Sequence, residues 1–147
     1  MTTQPMDPAA LNRRMIADIL AAPATPPEEG GYVLRVLETT GRRSGLPRRT
    51  PVGLLRRDGK DYLVCPDRGR DWPNNLLATA DAAVLVGNER RAVRARAVDG
   101  AEAADVVAAY VRSVRAPWAV RAFALPENPD QADILDRMPP IIVFRVD

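Results

Sequence analysis

Histidine is absent from the 147-residue chain. That excludes Ser-His and Cys-His nucleophile pairs, imidazole acid–base catalysis and His-ligated zinc. Cysteine occurs once, at Cys65, which excludes an internal disulfide and a thiolate metal cage. Lysine also occurs once, as Lys60, beside 20 arginines. No apolar run approaches the ~20 residues that cross a bilayer. The N-terminus shows no basic segment leading into an apolar one, so a cytoplasmic protein is expected. Any chemistry must come from Arg, Asp/Glu, Tyr, Trp, backbone amides or a borrowed cofactor.

The rest of the composition is that of a soluble globule, 46% hydrophobic and 27% charged. The length fits one domain. A helix is expected over 7–22, with Asp7 as N-cap, Pro8 at its first position and an apolar stripe of Leu11, Met15, Ile19 and Leu20. Arg13 and Arg14 flank that stripe, so the helix either docks on the domain or touches a membrane surface. The Pro- and Gly-rich stretch 22–31 reads as a linker. Strands are expected over 32–40, 48–57, 60–65, 82–87, 90–98 and 141–146. Asp58–Gly59 makes a tight hairpin turn between the second and third. In the fifth, Val93, Ala95 and Ala97 alternate with Arg94, Arg96 and Val98, as in a half-exposed antiparallel strand. Helices are expected from Pro73 to Thr79 and over 101–115. The region 116–139 is ambiguous, and its Trp118, Phe123 and Leu125 serve either a lid or ordinary packing. The pattern is α+β, built on an antiparallel sheet or small barrel of about six strands.

The segment TTGRRSGLPRRT (39–50) joins two apolar strands and places Arg42, Arg43, Arg48 and Arg49 around Ser44. Gly41 and Gly45 allow backbone turns that expose N–H groups. Guanidinium groups and exposed amides on one loop suit a phosphate or carboxylate. Residues 35–70 hold ten basic and four acidic side chains, so the overall net charge of +2 conceals a polarised molecule. Two other readings of the loop stand beside this one. It could be a solvated edge that keeps a sheet soluble, or a nucleic-acid contact, which the scarcity of nearby aromatics disfavours. A nucleic-acid partner is therefore not expected.

Four blocks in order, GRRSGLPRRTP (41–51), LVCPDRG (63–69), WPNNLLA (72–78) and DRMPPIIV (136–143), resemble the deazaflavin-dependent nitroreductase family, oxidoreductases that use coenzyme F420. The resemblance covers about residues 32–147. It implies a split β-barrel of the flavin-reductase type over 31–147, preceded by a helix and Pro-rich linker over 1–30. It implies F420 as cofactor, with FMN as the alternative, and a small-molecule acceptor as the other partner. Split barrels of this type are often dimers, so a homodimer is among the implied states. Arg42, Arg43, Ser44 and Arg48 fall on the family's phosphate- and tail-binding positions, and Thr50 and Pro51 enter the strand lining the ring. Cys65, Pro66, Asp67, Arg68 and Gly69 fall on the strand end and loop that follow. Trp72 and Asn75 fall on the third block's tryptophan and asparagine; without that context they read as a core tryptophan and a helix-capping amide. Cys65 read alone is a small buried hydrophobe or, less commonly, a redox thiol.

The activity implied is hydride transfer from reduced deazaflavin to a nitro compound, quinone or enone, with any further proton from a Tyr, a backbone amide or water. The sequence departs from the family on the acceptor side. Asp67 replaces a serine, Arg70 a glycine and Pro73 a tyrosine, and Gly53 stands where some members have tyrosine. About four residues are also missing between Gly69 and Trp72. Loss of two aromatics is expected to widen or reshape the acceptor pocket. A non-catalytic binder of deazaflavin or a lipid-like ligand is the remaining alternative.

Overall fold

The computed structural model describes residues 7–114, 120–126 and 129–147. Helix α1 (Pro8–Ala21) begins as its sequence dictates. The Asp7 carboxylate accepts the Ala10 N–H at 2.9 Å, and Pro8 occupies a first-turn position where a missing N–H costs nothing.

Six strands follow: β1 (Tyr32–Thr40), β2 (Pro47–Arg57), β3 (Lys60–Cys65), β4 (Asp81–Val86), β5 (Glu89–Val98) and β6 (Ile142–Val146). The β2–β3 turn carries Asp58 and Gly59 at φ 54° and 70°, the left-handed pair that matches the twist of a tight hairpin. The strands close into an antiparallel barrel in the order β1-β2-β3-β6-β5-β4, with β4 returning to pair with β1. The fold is α+β, as the sequence pattern indicated.

Period-two alternation sorts the strand residues. Leu37, Leu54, Leu63, Cys65 and Phe144 fill the interior. On the outer face, α3 (Gly100–Ser113) and α4 (Gln131–Arg137) cover Leu55, Tyr62, Val64 and Val143. Ile19 of α1 meets Val36, Ala83 and Leu85. Helix α2 (Asp71–Ala78) closes one end of the barrel. Leu76 enters the interior cluster, and the Trp72 ring lies 6.0 Å from that of Phe144.

The structure alters some element boundaries. Helix α2 starts two residues before Pro73, which sits in the first turn where its absent N–H is harmless. The alternation in β5 breaks at its end: Ala97 is exposed, and Val98 packs with the α3 cluster. Within 116–139, α4 is started by a reciprocal cap in which Asp130 and Asp133 each accept the other's backbone N–H. Phe123 and Leu125 pack with the α3 cluster; Trp118 lies outside the described residues.

Candidate functional site

A cavity of about 910 Å³ opens where the β1–β2 loop, α2 and α1 meet. Its wall includes Arg42, Arg43, Ser44, Arg48, Thr50, Pro51, Trp72 and Asn75, all singled out in the sequence.

The loop is folded by its glycines. Gly41 donates its N–H to the Leu46 carbonyl at 2.8 Å, and Gly45, at φ 71°, donates back to the Gly41 carbonyl at 2.8 Å. A Cβ on Gly41 would stand 2.6 Å from Ser44 Oγ and 3.2 Å from the Leu46 carbonyl oxygen. Ser44 Oγ accepts the Leu46 N–H at 3.1 Å, so this hydroxyl shapes the turn. Asn75, only 3% exposed, ties the loop to the barrel. Its Oδ1 accepts the Arg42 backbone N–H at 3.1 Å and Arg42 Nη1 at 3.3 Å, while its Nδ2 donates to Thr39 Oγ1 at 3.1 Å. The side chain therefore positions the loop rather than capping a helix. Trp72 is both a core residue and a cavity wall.

The arginines are not equivalent. Arg42 meets Asp71 at 3.2 Å. Arg49 meets Glu38 at 2.9 Å, and Arg90 holds the other oxygen of that carboxylate at 2.6 Å. The hydrogen bond from Arg90, aided by Arg49, keeps the Glu38 carboxyl below its ordinary pKa despite partial burial. Arg43, Arg48 and Arg70 meet no carboxylate among the described residues, and all three line the cavity. Three unneutralised guanidiniums around one cavity form a site for an anion.

The remaining sequence candidates stand beside this wall. Arg68 donates Nη2 to the Ile141 carbonyl at 2.7 Å and its N–H to the Pro140 carbonyl at 2.8 Å, which fastens the β3–α2 loop to the approach of β6. Asp67 Oδ1 accepts the Gly69 N–H at 2.9 Å and so folds that loop. Pro66 is half-buried. Cys65 is fully buried, and its thiol lies 3.1 Å from the Asp67 carbonyl that accepts its proton. Burial pushes the thiol pKa up, the opposite of a reactive thiolate.

Several wall residues carry no signal in the blocks. Helix α1 contributes Pro8, Leu11, Asn12 and Met15. Packing across β1, β2 and β4 brings this helix to the site, and no local pattern reports those contacts. Arg70 and Asp71 also line it.

The two lost aromatics have different outcomes. Pro73 is buried among the core side chains. Above Gly53, a Cβ would stand 3.1 Å from the Tyr110 hydroxyl and 3.1 Å from the Tyr32 ring. Of the two expected outcomes, the space is thus reshaped, refilled from β1 and α3, rather than widened. Burial, first, pushes the Tyr110 phenol up to about 12.

A closed six-strand antiparallel barrel with a guanidinium-lined cavity at one end defines a split-barrel protein built to hold an anionic ligand. The family profile of F420H(2)-dependent quinone reductases matches residues 26–125, and the chain belongs to that family. It is accordingly an F420H2-dependent reductase, with F420 rather than FMN as its cofactor. Solved structures share the barrel. One, described as a domain-swapped dimer, is 24% identical, covers 78% of this chain and 79% of its own, and has a TM-score of 0.56. An F420-H2 dependent reductase (FDR-A) is 22% identical, with 84% and 100% coverage and a TM-score of 0.50. General stress protein 26 from Bacillus anthracis is 13% identical, with 92% and 87% coverage and a TM-score of 0.52. No curated protein matches the chain.

The residues present fit the cofactor. F420 carries a flavin-like ring, a phosphodiester and a polyglutamate tail. The unneutralised arginines suit its anions, Gly41 leaves a cradle that a Cβ would disturb, and the volume lies within the usual range for ligand sites. Among the described residues no group of side chains could hold a metal ion, and no helix is long and apolar enough to cross a membrane.

Proposed function

We propose that the cavity is the F420 site and that the protein reduces a small electron-poor or conjugated acceptor, such as a quinone, nitro compound or enone. The observation that carries this reading is the pairing pattern of the loop arginines. Arg42 and Arg49 are neutralised by carboxylates, while Arg43 and Arg48 present their charge to the cavity.

In this reading Arg43 and Arg48 bind the phosphodiester and tail carboxylates through charge-assisted hydrogen bonds. Ser44 and Asn75 act through the loop, holding its backbone in the shape that aims those side chains. Thr50, Pro51 and Trp72 orient the ring end, and Leu11 and Met15 of α1 exclude water from one flank. When bound, the reduced deazaflavin supplies a hydride. No histidine is needed, because the chain contributes orientation and electrostatics. Asp67 and Arg68 support the floor of the site from the neighbouring loop. Residues 1–30, as helix and linker, flank a barrel domain of 31–147, and the protein works in the cytoplasm. A homodimer belongs to the same reading. Leu34, 49% exposed on β1, offers an apolar contact, and one barrel of this fold is a domain-swapped dimer.

Titration of the purified protein with F420, followed by fluorescence, tests the assignment. Saturable binding in the micromolar range is expected, together with oxidation of F420H2 by at least one of the three acceptor classes. Absence of saturable binding sinks it. Light scattering during size-exclusion chromatography decides the dimer.

A further inference from the structure

A carboxylate is out of place on a wall that suits anions, yet Asp71 lines the cavity. Among the described wall residues it is the only acid; the other charged side chains, Arg42, Arg43, Arg48, Arg49 and Arg70, are all guanidiniums. Asp71 opens α2, where an acid suits the positive end of the helix. That position does not require the contact it makes. Its Oδ1 accepts a hydrogen bond at 3.2 Å from Arg42 Nη1, on the β1–β2 loop. The side chain is 88% exposed, and its other oxygen meets no donor among the described residues. Nor does Arg42 need Asp71 to hold its place. Asn75 Oδ1 accepts both the Arg42 backbone N–H, at 3.1 Å, and Nη1, at 3.3 Å. An ion pair this exposed contributes little to stability. What it does is cancel one positive charge on the wall, while Arg43, Arg48 and Arg70 line the cavity with no carboxylate partner among the described residues.

A like charge beside a site excludes partners that a merely missing contact would tolerate. A further phosphate or carboxylate of a ligand can reach Arg42 only by displacing Asp71, whose charge then stands beside it. We propose that Asp71 is a specificity-determining residue that limits the negative charge the cavity accepts. Three guanidiniums take the ligand's anions, and a ligand with more anionic groups gains nothing from Arg42. The preferred ligand is one with a short anionic end. The inference deepens the reading of the cavity as the F420 site and rests on it for the identity of the ligand, in which each tail glutamate adds one carboxylate. The charge limit itself applies to any ligand that bears phosphates or carboxylates.

The test compares F420 carrying one tail glutamate with F420 carrying five, each titrated by fluorescence. Asp71→Asn keeps the side-chain shape and removes the charge; Asp71→Glu keeps the charge. The preference for the longer tail, as a ratio of dissociation constants, should rise at least threefold over wild type in D71N and stay near the wild-type value in D71E. Adding Arg42→Gln to D71N should abolish the rise, because the gain runs through the freed guanidinium. Asp81→Asn removes a carboxylate that pairs with Arg94 away from the cavity and should leave the ratio unchanged. Calorimetric titration with pyrophosphate and with tripolyphosphate reads the limit without F420. The affinity for tripolyphosphate relative to pyrophosphate should also rise at least threefold in D71N. An unchanged tail preference in D71N, or a rise that persists without Arg42 or appears equally in D81N, overturns the proposal. If wild type fails to bind F420, the reading of the cavity as the F420 site fails. The polyphosphate titrations then decide the charge limit alone, and unchanged relative affinities or no binding in D71N overturn it.

Discussion

Replacing Arg43 and Arg48 with alanine isolates the two loop charges that the protein leaves unneutralised. A charge-assisted hydrogen bond contributes about 1.5–3 kcal/mol when shielded, but both side chains are exposed. Solvent screening lowers that to about 1 kcal/mol each. The double variant should therefore lose about 2 kcal/mol of F420 affinity, roughly a 30-fold rise in Kd. The control is Arg90→Ala with Arg91→Ala. These side chains hold Glu38 and Asp61, and neither lines the cavity. Their loss should change Kd less than about threefold. Fluorescence titration at low and high salt adds a second reading. Wild-type affinity should fall as salt screens the exposed charges, and the Arg43/Arg48 variant should show a shallower salt slope than the control. Equal losses from the two pairs would refute the reasoning, because general charge rather than loop geometry would then hold the ligand.

Other perturbations separate loop shape from loop charge. Gly41→Ala forces a Cβ against Ser44 Oγ and the Leu46 carbonyl; circular dichroism should stay native while F420 affinity drops at least fivefold. Asn75→Ala strands the Arg42 N–H and Thr39 Oγ1, at about 1–3 kcal/mol, so thermal melting should shift down by about 2–4 °C for each kcal/mol. Glu38 and Asp105 have lowered pKa values, with Arg90 and Arg57 respectively as the largest cause. Their stabilisation is complete above the ordinary carboxylate range and lost as pH falls through the folded-state values. Glu38→Gln should therefore flatten the acid limb of a stability–pH curve measured by urea denaturation. The Cys65 thiol should resist Ellman's reagent in native protein and react fully in guanidinium.

The strand pattern was legible because the strands are short apolar runs and the tight hairpins carry turn residues with a physical reason to be there. Asp58–Gly59 is the clearest case. The loop glycines and arginines were legible as an anion site, but their division of labour was not. Sequence gives Arg42 and Arg43 the same weight, and only Asp71, 29 residues away, neutralises one and leaves the other charged. Arg68 shows the reverse. It matches a block position, yet the residues leading into β6 take its hydrogen bonds. Helix α1 was out of reach for a topological reason. It reaches the cavity by packing across β1, β2 and β4, non-local contacts that leave no mark on neighbouring residues.

The presence of α1 in the cavity wall ties ligand binding to a folding event. A helix of 14 residues is marginal on its own in water, so this wall exists only while Ile19 stays seated against Val36 and Leu85. A ligand that touches Leu11 and Met15 must favour the seated state, and by reciprocity the seated state must favour the ligand. The slowing of amide exchange along α1 on adding cofactor would then report how much of the binding free energy goes into holding the helix in place.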